Sequence, residues 1–270
     1  MVEIIKAIIF GIVQGITEWL PISSTGHLLL LDEFMTLNVS DNFKELFMVV
    51  IQLGSILAVL VLYFNTLNPF AIKKSKQEKK DSYILWLKVI VATIPAFILG
   101  LLLDDLIDEV LSTWQVIALM LFVYGLIYVI LEKNNKNKVV RVTDIKDLSY
   151  TDALKMGFFQ TLALVPGTSR SGSTILGGLI IGISREVAAK FSFFMAIPVM
   201  FGASLLKLMK LGYNYTELEF VVLFVGTLVS FIVSMFVIKA LINYVRNHDF
   251  SAFGWYRIIV SILVTAVFLF

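Results

Sequence analysis

"AIIFGIVQGITEWLPISSTGHLLLL", residues 7–31, decides how this chain is read. It is apolar from Ala7 to Pro21, polar through "ISSTG", and apolar again in "HLLLL". Neither apolar half reaches the roughly 20 residues that a bilayer crossing needs. A second stretch has the same form: from Ala153 it is hydrophobic to Pro166, passes through "GTSRSGS" and resumes as "TILGGLIIGI". Short apolar halves broken by Pro, Gly and hydroxyl residues are the signature of re-entrant helix pairs. Irregular backbone at membrane depth survives only where protein or a wet cavity satisfies it.

The rest of the chain agrees with a membrane setting. Its 270 residues are 59% hydrophobic and 16% charged, and the mean hydropathy is +0.90, which points to a polytopic membrane protein. Six stretches are long and apolar enough to cross: about 46–64, 83–103, 114–131, 188–208, 220–242 and 254–270. No linker or low-complexity tract divides the chain, so residues 1–270 are expected to form a single membrane domain. Glu3 stands where a signal peptide would be basic, and residue 1 is expected to belong to the mature protein. The absence of Cys excludes disulfides, thiol catalysis and Cys-based metal sites. A net charge of +2 gives nucleic acid no electrostatic footprint.

Loop charge predicts orientation. The loops carrying Lys73, Lys74, Lys76, Lys79 and Lys80, and Lys133, Lys136, Lys138, Arg141 and Lys146, should be cytoplasmic, with Lys239 and Arg246 marking a third. "DDLIDEVLST" between the first two has no basic residue and should face outward. Six crossings then put both termini outside, with the first re-entrant pair entering from outside and the second from inside.

The two broken stretches align as "GIVQGITEWLPISS" over "GFFQTLALV-PGTS", pairing Gly11 with Gly157, Gln14 with Gln160, Pro21 with Pro166 and Ser24 with Ser169. Each precedes three crossings, an odd number, so the copies, about 1–140 and 150–270, must be inverted in the membrane. The expected fold is all-α, with six transmembrane helices and two re-entrant pairs in an inverted repeat. Such repeats place one site at the midplane, between facing half-helix ends.

The residues in the breaks suit phosphoryl chemistry. Gln14 and Glu18, spaced i, i+4, share a helix face. An ionised Glu in a span costs about 2.5 to 3.5 kcal/mol on insertion scales, so it is expected to face a cavity and a function. Ser23 or Ser24 can N-cap the helix that follows, offering an anion unpaired N–H groups and a positive dipole end. His27 is placed for proton transfer, whereas His248, in a basic loop, reads as solvated. In "PGTSRSGST", Arg170 has the planar fork that grips phosphate. Ser169, Ser171, Ser173 and Thr174 add donors, and Gly167 and Gly172 permit close backbone approach. The Lys and spacing of a Walker A loop are missing. A purely structural Glu18–Arg170 ion pair is the rival reading of the two charges, and it leaves the four hydroxyls unexplained. An acid, a His, Ser24 as candidate nucleophile and an Arg make a parts list for phosphoryl transfer or hydrolysis. The rival class is a lipid flippase or secondary transporter, whose architecture also uses inverted repeats.

Taken together, "QGITEWLPISSTGH" resembles the (E/Q)xxxE motif and following SSTGH of bacterial undecaprenyl-diphosphate phosphatases of the bacitracin-resistance type, and "PGTSRSGST" resembles their PGxSRSxxT motif. The likeness covers the whole chain. It implies a multi-pass enzyme of the bacterial inner (plasma) membrane that hydrolyses undecaprenyl diphosphate to the monophosphate and inorganic phosphate. That reaction recycles the lipid carrier of peptidoglycan synthesis and confers bacitracin resistance. The likeness ties Glu18, Ser24, His27, Ser169, Arg170 and Thr174 to catalysis or phosphate binding. With the reading of the residues above, the expected catalytic set is Glu18, Ser24, His27 and Arg170, and the expected phosphate-binding set is Ser23, Ser169, Arg170, Ser171, Ser173 and Thr174. A divalent cation, Mg2+ or Ca2+, is also implied, at Glu18 and Gln14. Gln14 is the neutral alternative at the first motif position, so Glu18 carries more of that work. The partners implied are the polyprenyl diphosphate and the bilayer, with an active site open to the outside. The pattern is compatible with a homodimer and leaves the nucleophile open among Ser24, His27 and water.

Overall fold

The computed structural model describes residues 1–135, 139–211 and 215–269, and only the backbone of 104–106, 108 and 109. Lys136, Lys138 and Phe270, and the acidic side chains of Asp104, Asp105, Asp108 and Glu109, therefore lie outside what is described. Everything of length is helical. Two short helices, α1 (Val2–Thr17) and α2 (Ser24–Phe34), flank the first break, and α3 (Asp41–Leu62) follows. After a single turn, α4 (Phe64–Leu67), come α5 (Lys76–Leu111) and α6 (Trp114–Asn135). The second half has α7 (Tyr150–Thr161) and α8 (Arg170–Ile180) around the second break, then α9 (Arg185–Leu211), α10 (Glu217–Asn247) and α11 (Ser251–Leu269).

Six of these helices are long and apolar enough to cross a membrane: α3, α5 over Lys76–Leu103, α6, α9, α10 and α11. Most begin earlier than the apolar runs alone predict, because polar caps start the winding before the grease begins. Ser40 accepts from the Phe43 N–H, and Ser75 with Glu78 and Thr216 with Glu219 form reciprocal capping boxes. Ser149 and Asp152 cap α7 in the same way. The Asp152 carboxyl sits below its ordinary range: burial raises it, but bonds from Arg141 and Ser149 outweigh that.

α1 packs along α10, and α7 packs along α5. α3 touches both α9 and α10, and α6 lies against α11. Two glycines permit the first pair of contacts. A Cβ on Gly11 would stand 2.6 Å from the Gly226 carbonyl of α10, and one on Gly157 would collide with the Ala92 carbonyl of α5. Small residues let helix backbones approach where lipid gives no hydrophobic drive to pack. Gly157→Ala is accordingly expected to lower stability by about 1–3 kcal/mol, the usual range for overpacking. Thermal unfolding in detergent reads this directly, and an unchanged midpoint would show that the approach is dispensable.

These packings bring the two breaks together inside the bundle. Trp19, fully buried, stands edge-on to Phe193 of α9 with ring centroids 5.1 Å apart. The breaks are thus walled by apolar side chains on the α9 side.

Candidate active site

The first helix ends where its sequence stops supporting it. Glu18 closes α1, and Pro21 follows in a turn before Ser23 caps α2. Ser23 accepts from Gly26 N–H at 3.3 Å, so of the two candidate caps it is Ser23 that fills the role, leaving Ser24 as the first residue of the helix. In the second break Ser169 does the same for α8, accepting from Gly172 N–H at 3.0 Å. Both serines have φ of 73°, a region that non-glycine residues occupy at a cost of about 1–3 kcal/mol. The conformational counterpart of Ser169 is therefore Ser23, one residue before the Ser24 expected from the alignment. Gly167 turns the second break at φ 88°, with the Ile117 carbonyl 2.6 Å from where a Cβ would be. Any other residue there would meet both obstacles.

The charged groups meet. Arg170 Nη2 donates to Glu18 Oε1 at 2.9 Å, and the two side chains are 11% and 4% exposed. The ion pair weighed as a structural alternative from sequence is therefore present. On the other carboxylate oxygen, Gln14 Nε2 donates at 2.9 Å and Ser24 Oγ at 3.1 Å. Arg170 is fixed further by Nη1 donating to the Ser192 carbonyl at 2.7 Å, and its guanidinium lies 5.7 Å from the Trp19 ring centroid. Gln14, Glu18, Ser24 and Arg170 thus form one connected group, with the N-termini of α2 and α8 beside it.

The remaining predicted residues take other positions. His27 is one turn along α2, its Nδ1 at 2.7 Å from the Ser23 carbonyl and its Nε2 at 2.8 Å from the hydroxyl of Tyr256 of α11. Its ring stacks on that tyrosine, and among the described residues its two nitrogens bond Ser23 and Tyr256 rather than Glu18 or Arg170. Ser171 donates to the Glu18 and Leu20 carbonyls at 3.0 and 3.1 Å, tying one break to the other. Ser173 donates to the Phe159 carbonyl. Thr174 donates to the Arg170 carbonyl at 2.9 Å and lies 2.6 Å from Ser192 Oγ. These protons serve the protein, and each oxygen keeps acceptor capacity.

Sequence reasoning missed three partners. Ser192 and Tyr256 hold Arg170 and His27. Arg257, fully buried, bonds the carbonyls of Pro21, Gly167 and Thr168 in both breaks and those of Met120 and Leu121 in α6. A signal existed for Arg257, the one charged residue in the apolar run 251–269. For Ser192 and Tyr256 there was none.

Polar atoms without a partner cluster here as well. Among the described residues nine buried side-chain polar atoms have none, and six belong to Gln14, Trp19, Gln160, Thr168 and Arg170. Native proteins leave few such groups, so their concentration at the breaks sets this region apart from the rest of the interior.

Crossing-length helices around a buried acid–arginine pair, with a serine on the acid and two helix N-termini beside it, define a polytopic membrane protein with a charged cluster in its interior. The chain belongs to the family described as Bacitracin resistance protein BacA, whose model matches residues 7–263. Relatives named undecaprenyl-diphosphatase include one from Acetivibrio thermocellus, 54% identical over 269 residues and covering 100% of this chain and 99% of the relative. One from Enterococcus faecalis is 53% identical over 268 residues, covering 98% and 97%. Undecaprenyl-diphosphatase 1 of Clostridioides difficile is 54% identical over 268 residues, covering 99% and 97%.

Proposed function

We propose that this chain is an integral membrane phosphatase that hydrolyses undecaprenyl diphosphate to undecaprenyl phosphate and inorganic phosphate, returning the lipid carrier to cell-wall synthesis and so conferring bacitracin resistance. The observation that carries this reading is the buried Glu18–Arg170 pair with Ser24 bonded to the acid. A buried ion pair is seldom better for stability than apolar packing, so its retention points to chemistry.

In the mechanism, Arg170 and the α2 and α8 N-termini bind the terminal phosphate and offset its charge. Glu18 takes the proton that Ser24 already donates to it, and Ser24 Oγ attacks the terminal phosphorus. The P–O–P bond breaks, undecaprenyl phosphate leaves, and water then releases phosphate from the serine. His27, held by Tyr256, serves as the second proton-transfer group. Ser23, Ser169, Ser171, Ser173 and Thr174 shape the phosphate cradle through the backbone they fix.

The donors present fit a divalent cation of the Mg2+ or Ca2+ kind. Among the described residues no three His, Cys, Asp or Glu gather, but the unpartnered Gln14 Oε1 and the Glu18 carboxylate are hard oxygen ligands, and Mg2+ commonly binds through one or two such groups plus substrate phosphates. Such an ion, when bound, neutralises diphosphate charge.

The same reading includes one membrane domain with an inverted repeat of re-entrant pairs, about 1–140 and 150–270. The mirrored packing of α1 on α10 and α7 on α5, the shared serine φ of 73°, and the buried Gln14 and Gln160 support it. On the orientation expected from loop charge, the site opens outward from the inner membrane.

Phosphate release by purified protein in detergent tests the activity against the flippase or transporter alternative, which needs two compartments. Ser24→Ala is expected to lower kcat by at least about 10^3, a floor below the roughly 10^6 that loss of a serine nucleophile can cost. Quenching turnover with a radiolabelled terminal phosphate should leave label on Ser24. Near-normal turnover in the Ala variant would remove Ser24 as nucleophile and leave the attack to His27 or water.

A further inference from the structure

Gln160 stands on the last turn of α7, is 2% exposed, and has no hydrogen-bond partner for either Nε2 or Oε1. An amide buried without partners costs stability, so the group is expected to have a use. It lines a cavity of about 610 Å³ between α3, α5 and α9. Arg170 lines the same cavity, and its Nε is also buried and unpartnered. Gln14, Glu18 and Ser24 do not line it, so Arg170 is where the acid–serine cluster and the cavity meet. The walls are largely apolar, including Phe97, Leu101, Leu164, Met200 and Leu206.

Resting on the phosphatase reading above, we propose that Gln160 is a substrate-binding residue for the prenyl-linked phosphate, the one that departs when the P–O–P bond breaks. Arg170 spans the two phosphates. The terminal one lies on the Ser24 and Glu18 side, and the lipid-linked one lies in the cavity with its first isoprenoid units against the apolar wall. The chemistry of the amide matches this ligand: Nε2 donates to a non-bridging oxygen, and Oε1 accepts from a protonated phosphate oxygen or its bound water. A donor aimed at the leaving phosphate gains strength as charge gathers there, so it favours bond breaking as well as binding.

The test compares wild type with Gln160→Met, which keeps length and loses both polar atoms, and with Gln160→Leu should Met fail to accumulate. Phosphate release in detergent is measured, with farnesyl monophosphate and inorganic phosphate as separate product inhibitors. The inhibition constant for farnesyl monophosphate is expected to rise about tenfold or more in the variant, and kcat/KM to fall comparably, as for a lost bond to a charged group. The constant for inorganic phosphate should stay within about twofold, well inside the tenfold step that a lost charged bond would produce. The ligand-free variant should unfold at an equal or higher temperature, because an unsatisfied amide has been removed. Unchanged inhibition by both products, parallel loss of both, or a lowered unfolding temperature would each overturn the assignment. If wild type released no phosphate, the phosphatase reading would fail separately. Protection of both proteins from thermal unfolding by farnesyl monophosphate would then judge Gln160 alone: equal protection overturns it, and weaker protection of the variant upholds it.

Discussion

Arg170→Lys is expected to lower kcat/KM for phosphate release by about 10^3 or more, equivalent to about 4 kcal/mol. The reason is geometric rather than a change of charge. Arg170 uses Nη1 on the Ser192 carbonyl and Nη2 on Glu18 while its plane lies over Trp19, and Nε remains without a partner. A lysine ammonium is one point on a flexible stem and cannot hold a wall, an acid and a phosphate together. Arg170→Ala should behave differently, since it strands Glu18 in a buried site and is expected to cost about 3–5 kcal/mol of stability. The double variant Glu18→Gln with Arg170→Met removes both charges, so it should recover stability without recovering turnover. Thermal unfolding and phosphate release, measured on the same preparations, separate the two effects. A lysine variant within tenfold of wild type would remove the planar shape of the guanidinium from the mechanism and leave only its charge.

How far the sequence reached depends on the kind of information each residue carries. The breaks were legible because Pro21, Gly167 and the neighbouring hydroxyls interrupt apolar runs too short to cross, a statement about local chain chemistry. Gln14 and Glu18 were legible as neighbours because helix periodicity fixes which residues share a face. The meeting of Glu18 with Arg170 was expected from the repeat read in the sequence, which placed both breaks at one site. What periodicity does not fix is which helix faces which. Ser192 and Tyr256 are ordinary polar residues in hydrophobic helices, and their partners are separated from them by 22 and 229 positions. The hydroxyls of Ser171, Ser173 and Thr174 looked from sequence like ligand donors, yet each donates to a protein carbonyl instead. Backbone freed by a break needs partners of its own, and the nearest hydroxyls supply them. The cap position also lay below sequence resolution, since Ser23 and Ser24 are chemically identical and only the φ of 73° separates their roles.

Arg257→Met is the second large expected effect, and it arises away from the reacting atoms. Among the described residues Arg257 bonds no carboxylate; its guanidinium serves five carbonyls, with Nη1 on Pro21 at 3.1 Å and Nη2 on Gly167 and Thr168 at 2.9 and 3.0 Å. The other two, on Met120 and Leu121, lie within α6. The three loop carbonyls have the most to lose, at about 1–3 kcal/mol for each buried acceptor left unsatisfied. A loss of at least about 3 kcal/mol is therefore expected, read as a lower unfolding temperature in detergent. Because Pro21 precedes the α2 cap and Gly167 and Thr168 precede the α8 cap, releasing them should also let the two helix N-termini drift apart. Turnover is then expected to fall by about 10^2 even at temperatures where the variant stays folded, as misplacement of the order of 1 Å can produce. Arg257→Lys should retain part of the stability, reaching one loop or the other, while still losing most of the rate. Such a split marks a positioning residue. A Met variant that unfolds at the wild-type temperature and turns over normally would show that the two breaks hold their register without the guanidinium between them.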